Sequence, residues 1–325
     1  MVDVTVLFLD QTFSSTAVGP MEVFRHAGTL WNRLTGKPEK PFFQVTTASA
    51  DGRAVNCDGP IQIKPMASIR DIRKTDLIFI PTTGLSLDDV VERNGPVVPW
   101  LKRLHKRGVA IASVCSGVGL VAATGMLDGH RATTHWALAE CFRQKYPRVK
   151  WMPEFMVTED RGFYCGGGVH AALDLSLYLV EKFCGHEIAL QSSKALLIET
   201  PRAWQAGFAV IPLKTEHNDD AITTAQDWLH ENFHRAFPLD YPARRVGMSV
   251  RNFVRRFKQA TGDSPLAYLQ KLRIHAAKRL LENNHRTMQE ISDAVGYQDV
   301  AFFRSLFQRH TGVSPSAYRD KFGVS

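Results

Sequence analysis

The chain has 325 residues, 44% of them hydrophobic and 22% charged, with a formal net charge of +8. Those figures exclude a disordered polyelectrolyte and leave room for two globular domains. The cysteines, Cys57, Cys115, Cys141, Cys165 and Cys184, are odd in number and lack paired metal-ligand spacing, which speaks for a reducing cytoplasm rather than a disulfide framework.

The opening segment, MVDVTVLFLDQTF, has an apolar run too short and too acid-flanked for a signal peptide, and no stretch is long enough to span a bilayer. A cytoplasmic protein with no membrane partner, metal or cofactor is expected. Nearly continuous apolar runs then alternate with helical patterns. VTVLFLD (4–10), FFQVTTAS (42–49), DLIFIPT (76–82) and VAIASV (109–114) read as strands buried on both faces of a parallel sheet. Between them the pattern predicts a helix from about Gly19-Pro20 to Leu34, with proline in its first turn, and another over about 96–106. Such alternation belongs to a doubly wound α/β domain.

The run VAIASV ends in SVCSGVGLVAATGMLDG, which puts Cys115 at a strand-to-helix junction. A residue there projects above the carboxyl ends of the strands, and the next helix's dipole would favour a thiolate. Ser113 and Gly117 complete the small-x-nucleophile-x-Gly layout of a nucleophile elbow. His135, twenty residues on, is a candidate base. The residues alone leave two readings open: a reactive pair, or a buried small thiol beside a core histidine.

Two further segments are less specific. Cys165-Gly166-Gly167-Gly168, before an apolar helix from His170 to Val180, either brings backbone close to a ligand or makes a tight turn. His230-Glu231-Asn232-Phe233-His234 matches a zinc-protease pattern literally, but it falls in an amphipathic helix with no third ligand nearby and reads as coincidence.

A repeat dominates the last third. Residues 249–268, SVRNFVRRFKQATGDSPLAY, return 50 positions later as DVAFFRSLFQRHTGVSPSAY, with nine of twenty positions identical. Apolar residues at i, i+3 and i+7 predict one buried helix face: Val250, Phe253 and Phe257 in the first copy, and Val300, Phe303, Leu306 and Phe307 in the second. Thr-Gly stops each helix and Ser-Pro starts the next. Tandem helix-turn-helix units in an all-α domain are expected, each placing a helix in the DNA major groove. Residues 221–325 carry 16 Lys/Arg against 9 Asp/Glu, whereas residues 1–220 carry 24 against 23. That asymmetry is the footprint of one polyanion-binding module.

The exposed face of the first repeat helix would be Arg251, Asn252 and Arg255; that of the second, Gln298, Ala301, Phe302 and Ser305. Arginine pairs with guanine and asparagine with adenine, so the first helix is expected to dominate base readout. Lys258, Arg304 and Arg309 are the expected phosphate contacts. A linking helix over about 266–281 would hold the two recognition helices about one DNA turn apart.

From about Asp219 onward the chain resembles an AraC/XylS-type DNA-binding domain, through AQDWLHENF, ARRVGMSVRNFVRRFKQATGDSPLAYLQKLRIHAAKRLL and ISDAVGYQDVAFFRSLFQRHTGVSPSAYRDKF. One departure is Pro242, tolerable in the first turn if Asp240 caps its helix. The first 190 residues resemble the flavodoxin-like, class I glutamine amidotransferase-like domain of PfpI type found in GlxA-like regulators, through GPMEVFR, ASVCSGVGLVAATGMLDGHRATTHW and FYCGGGVHAALDLSLYLVEKF. The resemblance implies a sensor domain over 1–195, a linker over 196–218 and a DNA-binding domain over 219–325. It implies a regulator of transcription, an activator by type, acting as a homodimer on double-stranded DNA and engaging RNA polymerase. By that resemblance Glu22, Cys115 and His135 occupy the acid, nucleophile and histidine positions. With Trp136 they would line a pocket for a small effector, an amino or quaternary ammonium metabolite, and no catalysis is expected. The alternatives are a cysteine hydrolase or amidase tethered to DNA, and a redox sensor acting through Cys115.

Overall fold

The computed structural model describes residues 1–199, 204–208, 217–238, 240–283 and 286–323. The chain divides into two compact units, Met1–Ala206 and Gly207–Ser325. Most of the expected linker, 200–203 and 209–216, lies outside the described residues.

In the first unit, seven strands form one sheet: β1 (Val2–Leu7), β2 (Phe43–Ser49), β3 (Ala67–Ser68), β4 (Leu77–Ile80), β5 (Ala110–Val114), β6 (Val157–Asp160) and β7 (Phe163–Gly166). Their spatial order is β6-β7-β5-β4-β1-β2-β3, parallel throughout except for the antiparallel β6–β7 pair at one edge. Side chains alternate across the pleat. Leu77 and Phe79 of β4 therefore join one apolar layer with Phe24 and Leu175, while Ile78 and Ile80 join the other with Leu101 and Leu120. Burial on both faces explains why these strands read as unbroken apolar runs. The runs overshoot the ladders at their carboxyl ends. Phe8 to Asp10 and Pro81-Thr82 leave the sheet as loops on the edge where Cys115 stands.

The covering helices are α1 (Ser15–His26), α2 (Leu30–Leu34), α3 (Leu87–Arg93), α4 (Val97–His105), α5 (Val118–Ala123), α6 (Ala139–Lys145), α7 (Ala171–Cys184) and α8 (His186–Leu196). The helix expected from Gly19 to Leu34 is two helices, broken where Gly28 adopts a φ of 77°. It also begins four residues earlier, at Ser15, so Pro20 falls in its second turn, with its ring buried.

Among its described residues the regular elements of the second unit are helices: α9 (Asp220–Asn232), α10 (Asp240–Arg245), α11 (Val250–Thr261), α12 (Pro265–Asn283), α13 (Met288–Ala294), α14 (Val300–Thr311) and α15 (Pro315–Phe322). Pro242 sits in the first turn of α10, as that turn allows. The sequence repeat is a repeat of structure. Ser249 and Asp299 cap α11 and α14 with their side chains, and Gly262 and Gly312 close them at φ of 78° and 81°. The 19-residue α12 links two cores. Leu269 and Leu272 pack with Phe253 and Phe257 in the first, whereas Ile274, Ala277 and Leu281 pack with Phe303 and Phe307 in the second. One inward assignment fails. Val250 is 46% exposed, because the first turn of α11 projects beyond the core that Phe253 and Phe257 enter.

Candidate ligand recess and nucleic-acid interface

Cys115 ends β5 and begins a tight turn into α5 with a φ of 54°, a region that disfavours any residue with a Cβ. The turn is held on all sides. The Ser116 hydroxyl donates to the Thr83 carbonyl and accepts the Thr83 N–H, both at 3.1 Å, and the Cys115 carbonyl accepts from the Thr134 hydroxyl at 2.9 Å. Gly117 passes so close to Pro81 that a Cβ there would stand 2.1 Å from the Pro81 carbonyl oxygen. The elbow is real, and Ser113 fits its first small position, with its Oγ 3.9 Å from the Cys165 sulfur.

The chemistry expected of the elbow is different. Cys115 is buried, and burial pushes its thiol above the ordinary range, against the opposing pull of the Ser116 N–H and the Thr82 hydroxyl. Desolvation is the largest influence, and the direction is opposite to the thiolate expected at this helix end. The Thr82 hydroxyl is buried on the same edge, and the Cys115 thiol is the partner it faces there. His135 is half-buried and held below its usual value by burial, so it is neutral. Its Nδ1 accepts the Ala137 N–H at 3.1 Å, which leaves the proton on Nε2. A histidine so engaged has a donor at Nε2 and no free lone pair to take the cysteine's proton. Trp136 lies against it, ring centroids 5.2 Å apart.

Glu22 does not join this group. Thr16, Ala17, Pro20, Val23 and Phe24 form the buried face of α1, and Glu22 is on its exposed side. There it lines a groove of about 360 Å³ with Val18, His170, Leu173 and Leu196, and neither Cys115 nor His135 borders that groove. The residue of α1 that reaches the elbow's surroundings is Thr16, whose hydroxyl accepts the Thr82 N–H at 3.1 Å. Six residues of helix at about 100° each put Glu22 on a different face from Thr16.

The glycine run after Cys165 accommodates protein rather than ligand. A Cβ on Gly168 would meet His135 Cδ2 at 3.1 Å, and one on Gly167 would strike the side chain of Gln205 at 2.6 Å. Gln205 is buried, and its amide donates to the Thr134 carbonyl at 2.7 Å and the Phe155 carbonyl at 3.1 Å. Beside it Trp204 stacks on Phe155 with centroids 4.6 Å apart. Gln205, read from sequence as linker, is fastened to Thr134, the elbow's own hydrogen-bond partner. The surrounding segment has no hydropathy period, so no sequence signal marked it.

In the second unit, Arg251, Arg255 and Lys258 are exposed along α11, with Asn252 half-buried between them. The Arg255 guanidinium donates to the Asn252 side-chain oxygen at 3.0 Å, so the two form one presented group. Val250 and Val254 add apolar surface to the same helix, and Val254 was not anticipated. Gln298, Ala301, Phe302, Ser305, Arg304 and Arg309 are all exposed around α14, as expected. His230 and His234 are not a pair: α9 ends at Asn232, and the His230 Nε2 lies 2.7 Å from the Tyr268 hydroxyl.

The DJ-1/PfpI family matches residues 2–182, more than half of the chain, and a helix-turn-helix domain family matches residues 243–321. The chain belongs to the DJ-1/PfpI family. The transcriptional regulator GbdR of Pseudomonas aeruginosa is 26% identical over 95% of this chain and 82% of its own length. The regulator GlxA of Rhizobium meliloti is 28% identical over 69% of each. An isonitrile hydratase of Pseudomonas putida shares 28% identity over 46% of the chain and 63% of the enzyme. The crystal structure of Drosophila melanogaster DJ-1beta superposes with a TM-score of 0.52 at 20% identity, covering 61% of this chain and 98% of that one. A DJ-1/PfpI domain followed by an AraC-type helix-turn-helix domain makes this chain a DNA-binding transcriptional regulator. No helix among the described residues is long and apolar enough to cross a membrane.

Proposed function

We propose that the first unit is a sensor, not a catalyst, and that a small metabolite bound in the Cys115–His135 recess sets the DNA affinity of the second unit. One observation carries this reading: the elbow geometry is kept while the chemistry that would activate it is missing. The thiol is held protonated by burial, the histidine lone pair is engaged, and the acid expected at Glu22 faces a different groove. A recess offering the Nε2–H of His135, the Thr82 hydroxyl and the Trp136 ring suits recognition of a polar molecule. With Glu22 elsewhere, the Trp136 ring is the feature that favours an ammonium group.

The route to the second unit runs through Gln205. Its amide bonds the Thr134 carbonyl, and Thr134 bonds the Cys115 carbonyl, so a ligand that shifts the elbow tugs on the segment leading into residue 207. For such a switch the ligand must prefer one arrangement of that segment over the other. Base readout falls to Arg251, Asn252 and Arg255 and methyl or shape contacts to Phe302 and Ala301, with Lys258, Arg304 and Arg309 on phosphates. Activation by a homodimer that engages RNA polymerase is the form this reading takes.

Titrating the full chain with amino, quaternary ammonium and uncharged metabolites, and following its affinity for a selected duplex, tests the reading. The expected result is a ligand that changes DNA affinity at least tenfold in wild type and less than twofold in Gln205→Ala. Turnover of any amide or isonitrile that vanishes in Cys115→Ala would instead make the first unit an enzyme. A response to peroxide alone, lost in Cys115→Ser, would make it a redox sensor.

A further inference from the structure

Two cations are buried among the described residues of the second unit, Arg273 and Lys278, and the partners of Arg273 come from both helix-turn-helix units. Arg273 lies in α12 near the point where the two cores meet, and it is 9% exposed. Its Nε donates to the Phe233 carbonyl and its Nη2 to the Arg235 carbonyl, each at 2.8 Å. Those carbonyls belong to the chain leaving α9, part of the frame of the first helix-turn-helix. On the other side the guanidinium stands over the Tyr297 ring, 4.7 Å from its centroid. Tyr297 precedes α14 by two residues and packs against Phe302 and Phe303 of that helix, at 5.7 and 6.1 Å.

Gly296 closes the join. It adopts a φ of 87°, and a Cβ there would stand 2.9 Å from both Arg273 Nη2 and the His234 carbonyl. The turn before the second recognition helix therefore touches the segment after α9 without any intervening side chain. The far end of α9 is tied to the first recognition helix: Asp219 accepts two bonds from Arg256 of α11, at 2.9 and 2.7 Å. Both recognition helices thus hang from α9, one by each end.

We propose that Arg273 is the positioning residue that fixes the spacing and phase of the two recognition helices on DNA. A planar fork is suited to this because it can bond two carbonyls in its plane while an aromatic ring covers its face. A lysine can satisfy one carbonyl but cannot reproduce the plane. The inference rests on the reading that both α11 and α14 enter the groove. It adds that their register is set by one side chain rather than by the stiffness of α12 alone.

The test uses the full chain and a duplex selected by it from random sequence, together with versions carrying one base pair more or less between the two boxes. One inserted pair moves the second box by about 3.4 Å and about a tenth of a turn. Wild type should lose at least tenfold in affinity on either change. Arg273→Met should bind the selected duplex about tenfold more weakly, discriminate spacings by less than threefold, and keep its affinity for a single box within twofold. Arg273→Lys should fall between. Tyr297→Leu, which removes only the stacked ring, should also flatten the spacing preference, and it carries the test if Arg273→Met does not fold. Variants that weaken binding equally at every spacing would reduce Arg273 to a fold-stabilising residue and overturn the proposal. A wild type indifferent to spacing would overturn the two-helix reading itself.

Discussion

The two helix-turn-helix units are nearly the same object on the inside and different objects on the outside. Phe253, Phe257 and Tyr268 meet edge to face in sequence with centroids 5.4 and 5.2 Å apart; Phe303, Phe307 and Tyr318 repeat the arrangement at 5.9 and 5.4 Å. The hydroxyls of Thr261 and Thr311 each bond the carbonyl four residues back, at 2.8 Å in both copies. Outside, Arg251, Asn252, Arg255 and Lys258 of α11 correspond to Ala301, Phe302, Ser305 and Gln308 of α14. Identity between the copies therefore records mostly what the cores, turns and caps require, and DNA preference must be sought where they disagree. The tyrosines confirm the division from within: Tyr268 meets Gln226 and His230, whereas Tyr318 donates to Glu282, because their partners lie outside the repeated block.

The largest effect should come from breaking the shared interior. Phe257→Ala and Phe307→Ala each remove a fully buried ring and should cost about 3–5 kcal/mol. Hydrogen exchange on the full chain locates the loss: α11 amides should lose protection in the first variant and α14 amides in the second. Similar losses in the two are expected; a strong effect in one copy and none in the other would mean that the cores are not equivalent.

That equivalence was legible in the sequence because helical spacing and capping act over a few residues, and the repeat prints both twice. The α/β layer was legible for the same reason, since strands buried on two faces are mostly apolar, with only small hydroxyl residues such as Thr5 and Ser113 buried among them. Legibility ended where a residue's fate depended on distant chain. Glu22 looked like a site acid because its neighbours matched a motif, but the helical phase of α1 puts it outside the buried face of Thr16, Pro20 and Val23. Cys115 was found through its local elbow pattern, while its protonated state depends on burial that no local pattern encodes. Gln205 and Arg273 carry long-range hydrogen bonds to carbonyls, and a carbonyl has no sequence identity to read.

A smaller effect should sharpen the difference outside. Arg251→Ala and Arg255→Ala should each cost about 1–3 kcal/mol of discrimination between the selected duplex and one mutated at the contacted base. Gln298→Ala and Ser305→Ala should cost less than either. Competition binding against a panel of single-base variants reads this directly. If the α14 substitutions relax specificity more, the ranking of the two helices is reversed.

The least effect concerns how each recognition helix is fastened, and here the copies use different chemistry. Arg256 of α11 pairs with Asp219 across 2.7 Å, and the corresponding residue of α14 is Leu306, buried in the second core. Asp219 also caps α9, and the Arg256 guanidinium holds its carboxyl below the ordinary range. A group depressed in the folded state contributes stability that is present above its unfolded pKa and lost as pH falls through the folded one. Asp219→Asn keeps a capping side chain and removes the charge. It should lower protection of α11 by about 1 kcal/mol at pH 7, given a pair that is partly exposed. The deficit relative to wild type should shrink below about pH 4 as the wild-type carboxylate itself protonates. Protection of α14 should be unaffected at either pH, since Leu306 has nothing to titrate. Loss of protection in both helices together would instead mean that the ion pair supports the whole unit through α9, and the two fastenings would not be independent.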